Sequence, residues 1–178
     1  MANVTDESVA TGNFLKVDPI FKHRVLKAPH GETFKFCYQC GRCTATCPIA
    51  RFSSDFRPNK LIQMAKLGID KVLEKDALWL CAACYTCTER CPQDVEVKDV
   101  IRILKNLALD EGHYPDYFRG LVFNLNRTGL AYTISKSRLR QREKYALPPL
   151  PKTKTEDIQI LSELCGLSKI TENDRSDA

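Results

Sequence analysis

The sequence predicts an all-α fold: two pseudo-symmetric halves, each a cysteine loop followed by a helix, with extended tails at both ends. Three observations carry this. Apolar residues recur at helical spacing in several windows. Prolines open those windows and glycines close them, as helix ends require. A shift of 44 positions maps Cys37, Cys40, Cys43, Cys47 and Pro48 onto Cys81, Cys84, Cys87, Cys91 and Pro92, Thr44 onto Thr88 and Gly68 onto Gly112. A duplicated half-module accounts for that offset more economically than two unrelated sites.

Taken in order, residues 1–18 read as a flexible N-terminal arm. Asp18-Pro19 opens a short helix with Ile20, Phe21, Val25 and Leu26 on one side, and Pro29-His-Gly31 ends it. Thr33–Phe36 reads as a short extended piece entering the first cysteine run. After the polar Ser53-Ser54-Asp55 loop, Pro58 starts a helix to Leu67, with an apolar stripe of Leu61, Ile62, Ala65 and then Ile69. A short helix over Asp70–Lys75 follows, and Ala77–Leu80 leads into the second run. Val97–Asp110 carries the clearest helical pattern, through Val97, Val100, Ile101, Leu104, Leu107 and Ala108. Pro115-Asp116 opens another helix to about Asn126, broken by Gly129. Beyond it come a basic stretch, Ser135–Lys144, a polyproline-like connector at Pro148–Pro151, a last helix over Glu156–Leu164, and a polar end over Thr171–Ala178. The domain organisation expected is an arm over 1–18, a two-cluster domain over 19–128, and a basic, proline-containing extension over 129–178 that docks a partner.

Each cysteine run reads C-x2-C-x2-C-x3-C-P, the spacing of an iron–sulfur centre. A cubane cluster needs four soft thiolates around a compact object. Three cysteines at this spacing let one tight loop cover three corners, and the fourth corner comes from elsewhere. In two-cluster proteins of this pattern, the cysteine before the proline serves the other cluster. The expected ligand sets are therefore Cys37, Cys40, Cys43 and Cys91 for one [4Fe–4S] cluster, and Cys47, Cys81, Cys84 and Cys87 for the second. Pro48 and Pro92 turn the chain away just past the ligand. Phe36, Tyr38, Trp79 and Tyr85 flank the ligands, either as a dry shell or as ordinary core aromatics. Zinc is the competing reading, but a four-cysteine zinc site uses two C-x2-C pairs and has no use for the third and fourth cysteine of each run. Cys165 belongs to no motif and reads as a small buried residue near the last helix. His23, His30 and His113 have no ligand spacing to one another.

The 178-residue chain has nine cysteines and a formal charge of +5 that counts them as neutral thiols. Two clusters with their thiolates, each about −2, would bring the total to about +1. The basic balance is thus weak support for nucleic-acid binding, and no recognition motif accompanies it. No secretory signal or membrane span is legible, so a soluble, cytoplasmic chain is expected. There is no G-x-G-x-x-G fingerprint, no adjacent Cys-Cys pair and no acid–base constellation. The chain reads as an electron carrier, with no catalytic residue of its own. Lys136, Arg138, Arg140, Arg142 and Lys144 form either a solvated face or a docking strip for an acidic partner.

Phe36–Pro48 and Leu78–Pro92, with about thirty residues between the runs, resemble the α-helical ferredoxin domain. The wording Trp79-Leu-Cys81, Cys84-Tyr-Thr-Cys87 and Glu89-Arg-Cys91-Pro92 is similar to the iron–sulfur C subunits of CoB–CoM heterodisulfide reductase, a methanogenesis enzyme, over roughly Phe21–Asn126. The resemblance implies an electron-transfer protein with two clusters, working inside an oxidoreductase complex. It would relay electrons from the flavin-containing, iron–sulfur A subunit of heterodisulfide reductase to the catalytic B subunit with CCG motifs, which reduces the CoM-S-S-CoB heterodisulfide. Through the flavoprotein it would draw on a hydrogenase or formate dehydrogenase module. The alternatives are the equivalent component of a related complex in sulfur metabolism or of a fumarate reductase or glycolate oxidase type enzyme, a free ferredoxin, and a zinc module.

Overall fold

The computed structural model describes residues 16–150 and 153–172, so most of the expected N-terminal arm, Pro151 and most of the polar C-terminal end lie outside the described residues. Among the described residues the fold is all-α, with nine α-helices, four 3₁₀ turns and no strand. The chain divides into two compact units, one ending at Asp110 and the other beginning at Glu111.

In the first unit, α1 (Pro19–Lys27) starts as its sequence dictates: Asp18 accepts the Ile20 N–H at 2.8 Å and Pro19 takes the first position. Phe21 and Val25 are buried, whereas Ile20, expected on the same face, is 72% exposed. The piece expected to be extended before the first cysteine is a 3₁₀ turn over Glu32–Phe36. Its counterpart before the second run is a 3₁₀ turn over Asp76–Leu80. The two turns are 44 positions apart at both ends, and each buries one large side chain completely, Phe34 and Leu78. That repeated anchor seats the start of each cysteine run on the core. Two four-residue helices lie inside the runs, α2 (Arg42–Ala45) and α4 (Thr86–Glu89), again 44 apart. They pack against each other, which brings the two runs side by side.

The long helices α3 (Pro58–Leu67) and α5 (Val97–Asp110) pack together behind the runs, with α1 against both. Their buried stripes, Leu61, Ile62 and Ala65 on one and Val97, Val100, Ile101, Leu104 and Ala108 on the other, form the core with Phe56, Val72, Leu73 and Val95. The expected helix over Asp70–Lys75 is a 3₁₀ turn of three residues, Asp70–Val72.

In the second unit, α6 (Asp116–Thr128) packs with α8 (Thr155–Leu164) and α9 (Ser168–Glu172) around Val122, Ser162 and Ile170. The sequence reading grouped the α6 segment with the cysteine domain. Its apolar stripe instead faces the C-terminal helices, one of which, α9, carries too few residues to show a period. Thr153 packs against Gly129 and its hydroxyl donates to the Thr128 carbonyl at 3.5 Å, closing the end of α6. The basic helix α7 (Lys136–Lys144) is capped by Ser135 and buries no residue. Among the described residues no helix is long and apolar enough to cross a membrane.

Gly68 shows how tightly the first unit is closed. It ends α3 at φ +74°, and its carbonyl accepts the Asp18 N–H at 2.6 Å. A Cβ there would stand 2.6 Å from the Asp18 carbonyl oxygen, while one on Gly112 (φ +80°) would meet open space. Gly112→Ala should therefore cost only the roughly 1–2 kcal/mol of a left-handed non-glycine residue. Gly68→Ala should cost more, because α1 must also move; chemical-denaturation midpoints of the iron-loaded variants measure the difference.

Candidate iron–sulfur site

Each cysteine loop repeats the other residue for residue in its backbone. The entering cysteines have nearly equal dihedrals, φ −63° and ψ 118° for Cys37 against φ −59° and ψ 115° for Cys81. Two residues later Gln39 and Ala83 both take positive φ, 64° and 52°. Two residues further Gly41 and Tyr85 do so again, at 76° and 60°. Left-handed residues at every second position turn each loop sharply within five residues. Burial repeats over the first two cysteines of each run, with Cys40 and Cys84 exposed and Cys37 and Cys81 half-buried, but not over the last two: Cys43 and Cys91 are half-buried, Cys87 and Cys47 buried.

Behind each loop a threonine ties it to the following helix. Thr44 accepts the Asn59 N–H at 3.0 Å and donates to the Asn59 side-chain oxygen at 2.6 Å. Thr88 accepts the Lys98 N–H at 3.1 Å. Asn59 and Lys98 are the second residues of α3 and α5. The first turns of the core helices are thus capped by side chains of the cysteine loops, and Arg57, the residue preceding α3, makes no side-chain cap of its own. The sequence carried a signal for this in the Thr44–Thr88 match, although the role was not legible from it.

A cleft is lined by Cys81, Cys84 and Cys87 of the second run and by Cys47 of the first. Ile49, Phe56, Pro58 and Ile101 form its apolar wall, and Tyr85, Thr86 and Lys98 complete it. On the other side, Cys37 and Cys43 are electrostatic neighbours. Cys40 and, more weakly, Cys91 both act on the Tyr38 hydroxyl and hold its pKa above the ordinary value. Cys91 Sγ accepts the Val95 N–H at 3.3 Å, and Cys37 Sγ accepts from the Gln39 side chain at 3.4 Å. Such hydrogen bonds to sulfur tune a cluster's potential.

Two of the thiols, Cys43 and Cys87, are poor acids here. Burial first, and the neighbouring Cys37 second, push Cys43 up to about 11. Burial and Cys81 do the same to Cys87. Cys84 moves the other way, because the Thr86 hydroxyl hydrogen-bonds its thiolate. Iron supplies the charge that makes such thiols ligands, displacing their protons on binding. Four soft sulfur donors around an apolar-walled cleft fit a [4Fe–4S] cluster.

Several expectations are corrected. Phe36, Tyr38 and Tyr85 are exposed rather than a dry shell, and Trp79 packs at the edge of the core. Cys165 is exposed at the end of α8, a helix that buries Ser162 and leaves Ile160, Leu161 and Leu164 exposed as well. Residues with no sequence signal also enter the site. Lys66 Nζ donates to the Cys37 carbonyl at 2.6 Å and to the Lys35 carbonyl at 3.2 Å, and Lys105 Nζ donates to the Cys81 carbonyl at 3.4 Å. A lysine thus holds the first cysteine of each run.

Comparison with known proteins agrees with this geometry. A family model described as a 4Fe-4S dicluster domain matches residues 33–95. The chain is 33% identical over 160 residues to the iron–sulfur C subunit of the CoB–CoM heterodisulfide reductase of Methanopyrus kandleri, covering 89% of this chain and 80% of that one. It is 35% identical over 143 residues to the C2 subunit of the H2/formate:CoB–CoM heterodisulfide, ferredoxin reductase of Methanococcus maripaludis, covering 79% and 77%. It is 34% identical over 146 residues to the C subunit of the ferredoxin:CoB–CoM heterodisulfide reductase of Methanosarcina mazei, covering 82% and 89%.

The loop threonines yield a direct test. Thr88→Val should lower stability by about 1 kcal/mol through the lost cap. Thr44→Val, which breaks two hydrogen bonds, should cost more; the denaturant midpoint for bleaching of the iron–sulfur absorbance reads both.

Proposed function

Because the chain belongs to the family of the iron–sulfur C subunits of heterodisulfide reductase, with two [4Fe–4S] clusters and no catalytic role of its own, we propose that it relays electrons between two partner subunits. Electrons enter from the flavin-containing, iron–sulfur A subunit and leave to the B subunit with CCG motifs, where the CoM-S-S-CoB disulfide is reduced. Through the flavoprotein the supply traces to a hydrogenase or formate dehydrogenase module. The reading draws on the relatives' names, which specify hydrogen, formate or ferredoxin as partners in different organisms.

One observation carries the site assignment: Cys47 lines the same cleft as Cys81, Cys84 and Cys87. Those four would hold one cluster, and Cys37, Cys40, Cys43 and Cys91 the other. Bound there, each cluster would supply one-electron oxidation and reduction at nearly fixed geometry. The rest is the chain's own work. The 3₁₀ turns fix where each run begins, α2 against α4 sets the two sites side by side, and Ile49, Phe56 and Ile101 keep water from one wall. The exposed cysteines Cys40 and Cys84 leave one edge of each site near the surface, where a partner's centre can approach.

Partner docking is assigned to the 129–178 extension. Its helix α7 carries Lys136, Arg138, Arg140, Arg142 and Lys144 against a single Glu143 and buries nothing. A helix polar all round has no apolar face to bury within the chain, and this charge suits an acidic partner surface.

Native purification should bring down a flavoprotein together with a CCG-motif protein; recovery of the chain alone would count against the relay. Reversing Arg138 and Arg140 to Glu should release those partners while iron content stays at about eight per chain. Cys47→Ser should alter the electron paramagnetic resonance signal of the cluster held by Cys81, Cys84 and Cys87. Damage confined to the cluster of its own run would show that the fourth cysteines do not cross.

A further inference from the structure

The two halves match so closely that their departures stand out, and two of these touch. Where the first loop has Gly41 in a left-handed conformation, the second has Tyr85 at φ 60°. A bulky residue with positive φ is uncommon and persists only where its surroundings hold it. Where α3 has neutral Asn59 as its second residue, α5 has Lys98. Both residues give their backbone N–H to the equivalent threonine, so they occupy the same place in the two halves. The Asn59 side chain turns back to Thr44 at 2.6 Å. The Lys98 ammonium instead donates to the Tyr85 hydroxyl at 2.6 Å and lies 4.4 Å from the centre of its ring.

Lys98 also lines the cleft shared by Cys47, Cys81, Cys84 and Cys87, and its side chain is only 13% exposed. The other charges nearby do not cancel it. Asp99 lies 3.6 Å from the ammonium but is also bound by Arg102 at 3.1 Å, which leaves the trio net positive. Lys66 and Lys105 bond equivalent carbonyls in the two halves, at 2.6 and 3.4 Å, so each site has one such cation. Arg42 beside the first loop and Arg90 beside the second are exposed, as is Glu89, which stands in the second loop where the first has Ala45, and solvent screens all three.

We infer that the Tyr85–Lys98 pair is a positioning device that makes the two sites electrically unequal. The hydroxyl and ring of Tyr85 hold a cation against the second cleft, and the first has no equivalent. A cluster gains one negative charge on reduction, so a fixed cation at low exposure favours the reduced form. The cluster of the second cleft is thereby set at the higher potential, and an electron on the pair rests there. This inference relies on the crossed ligand assignment above.

Potentiometric titration of the iron-loaded protein, followed by electron paramagnetic resonance, tests it. The second-cleft signal is identified as the one that Cys47→Ser perturbs. Lys98→Gln should weaken one-electron reduction of that cluster about tenfold, a fall of roughly 59 mV, and leave the other cluster unmoved. Lys98→Arg should restore most of the loss. Unmoved potentials, equal movement of both, or movement of the first cluster alone overturns the inference. If Lys98→Gln fails to take up iron, Tyr85→Phe, which removes only the oxygen holding the ammonium, is read in its place: a fall confined to the second cluster supports the inference, and an unmoved potential overturns it. Failure of the ligand assignment looks different, since Cys47→Ser would then disturb the cluster of Cys37, Cys40 and Cys43.

Discussion

Everything in the first unit depends on bringing a thiol of one run into the loop of the other. Cys47 and Cys81 are far apart in the chain, yet both face one cleft. Local geometry alone cannot achieve that, because three cysteines at two-residue spacing use up what a single loop can reach. The closure comes from the packing of α2 on α4 and of α3 on α5, and from the matched anchors Phe34 and Leu78. The core therefore acts as a jig for the cysteines, and its apolar residues contribute to function through position alone.

What the sequence revealed divides along physical lines. The cysteine spacing was legible because ligand chemistry dictates it. The bounds of α3 were legible because proline and glycine mark where a helix can begin and end, and the periodic stripe of α5 named all its buried residues except Ile103. Structure that is shorter than its own period was not legible. The five-residue turn before the first run looked extended and the one before the second showed no pattern, helices of four residues inside the runs were silent, and α9 was missed. Membership of α6 was also hidden, because an amphipathic stripe tells that a face is buried and not against what. Cys165 was misplaced because the apolar residues before it, Ile160, Leu161 and Leu164, are exposed too. The cations Lys66, Lys98 and Lys105 left no trace, since lysine at a helix surface is the commonest thing a sequence contains and only the fold shows which carbonyl or hydroxyl it meets.

Duplication gives the molecule two similar sites, and a pair of equal sites has no preferred end. The differences between the halves are small in number but not scattered. Besides Tyr85 and Lys98, the loop after Pro48 differs from that after Pro92: the first carries Phe52, 92% exposed, ahead of α3, while the second is cut short and α5 is longer. The helices nevertheless end on equivalent glycines, Gly68 and Gly112, so the length lost from one segment is regained in the next. The frame is kept symmetric and the surfaces around it are not.

The threonine links have a consequence for how the molecule comes into being. A helix is hard to start because several residues must be fixed before the first hydrogen bond rewards them. Here the groups that relieve the first turns of α3 and α5 sit on the cysteine loops themselves. Nucleation of the core helices is thus tied to the shape of those loops, and a change at either loop is felt first where its helix begins.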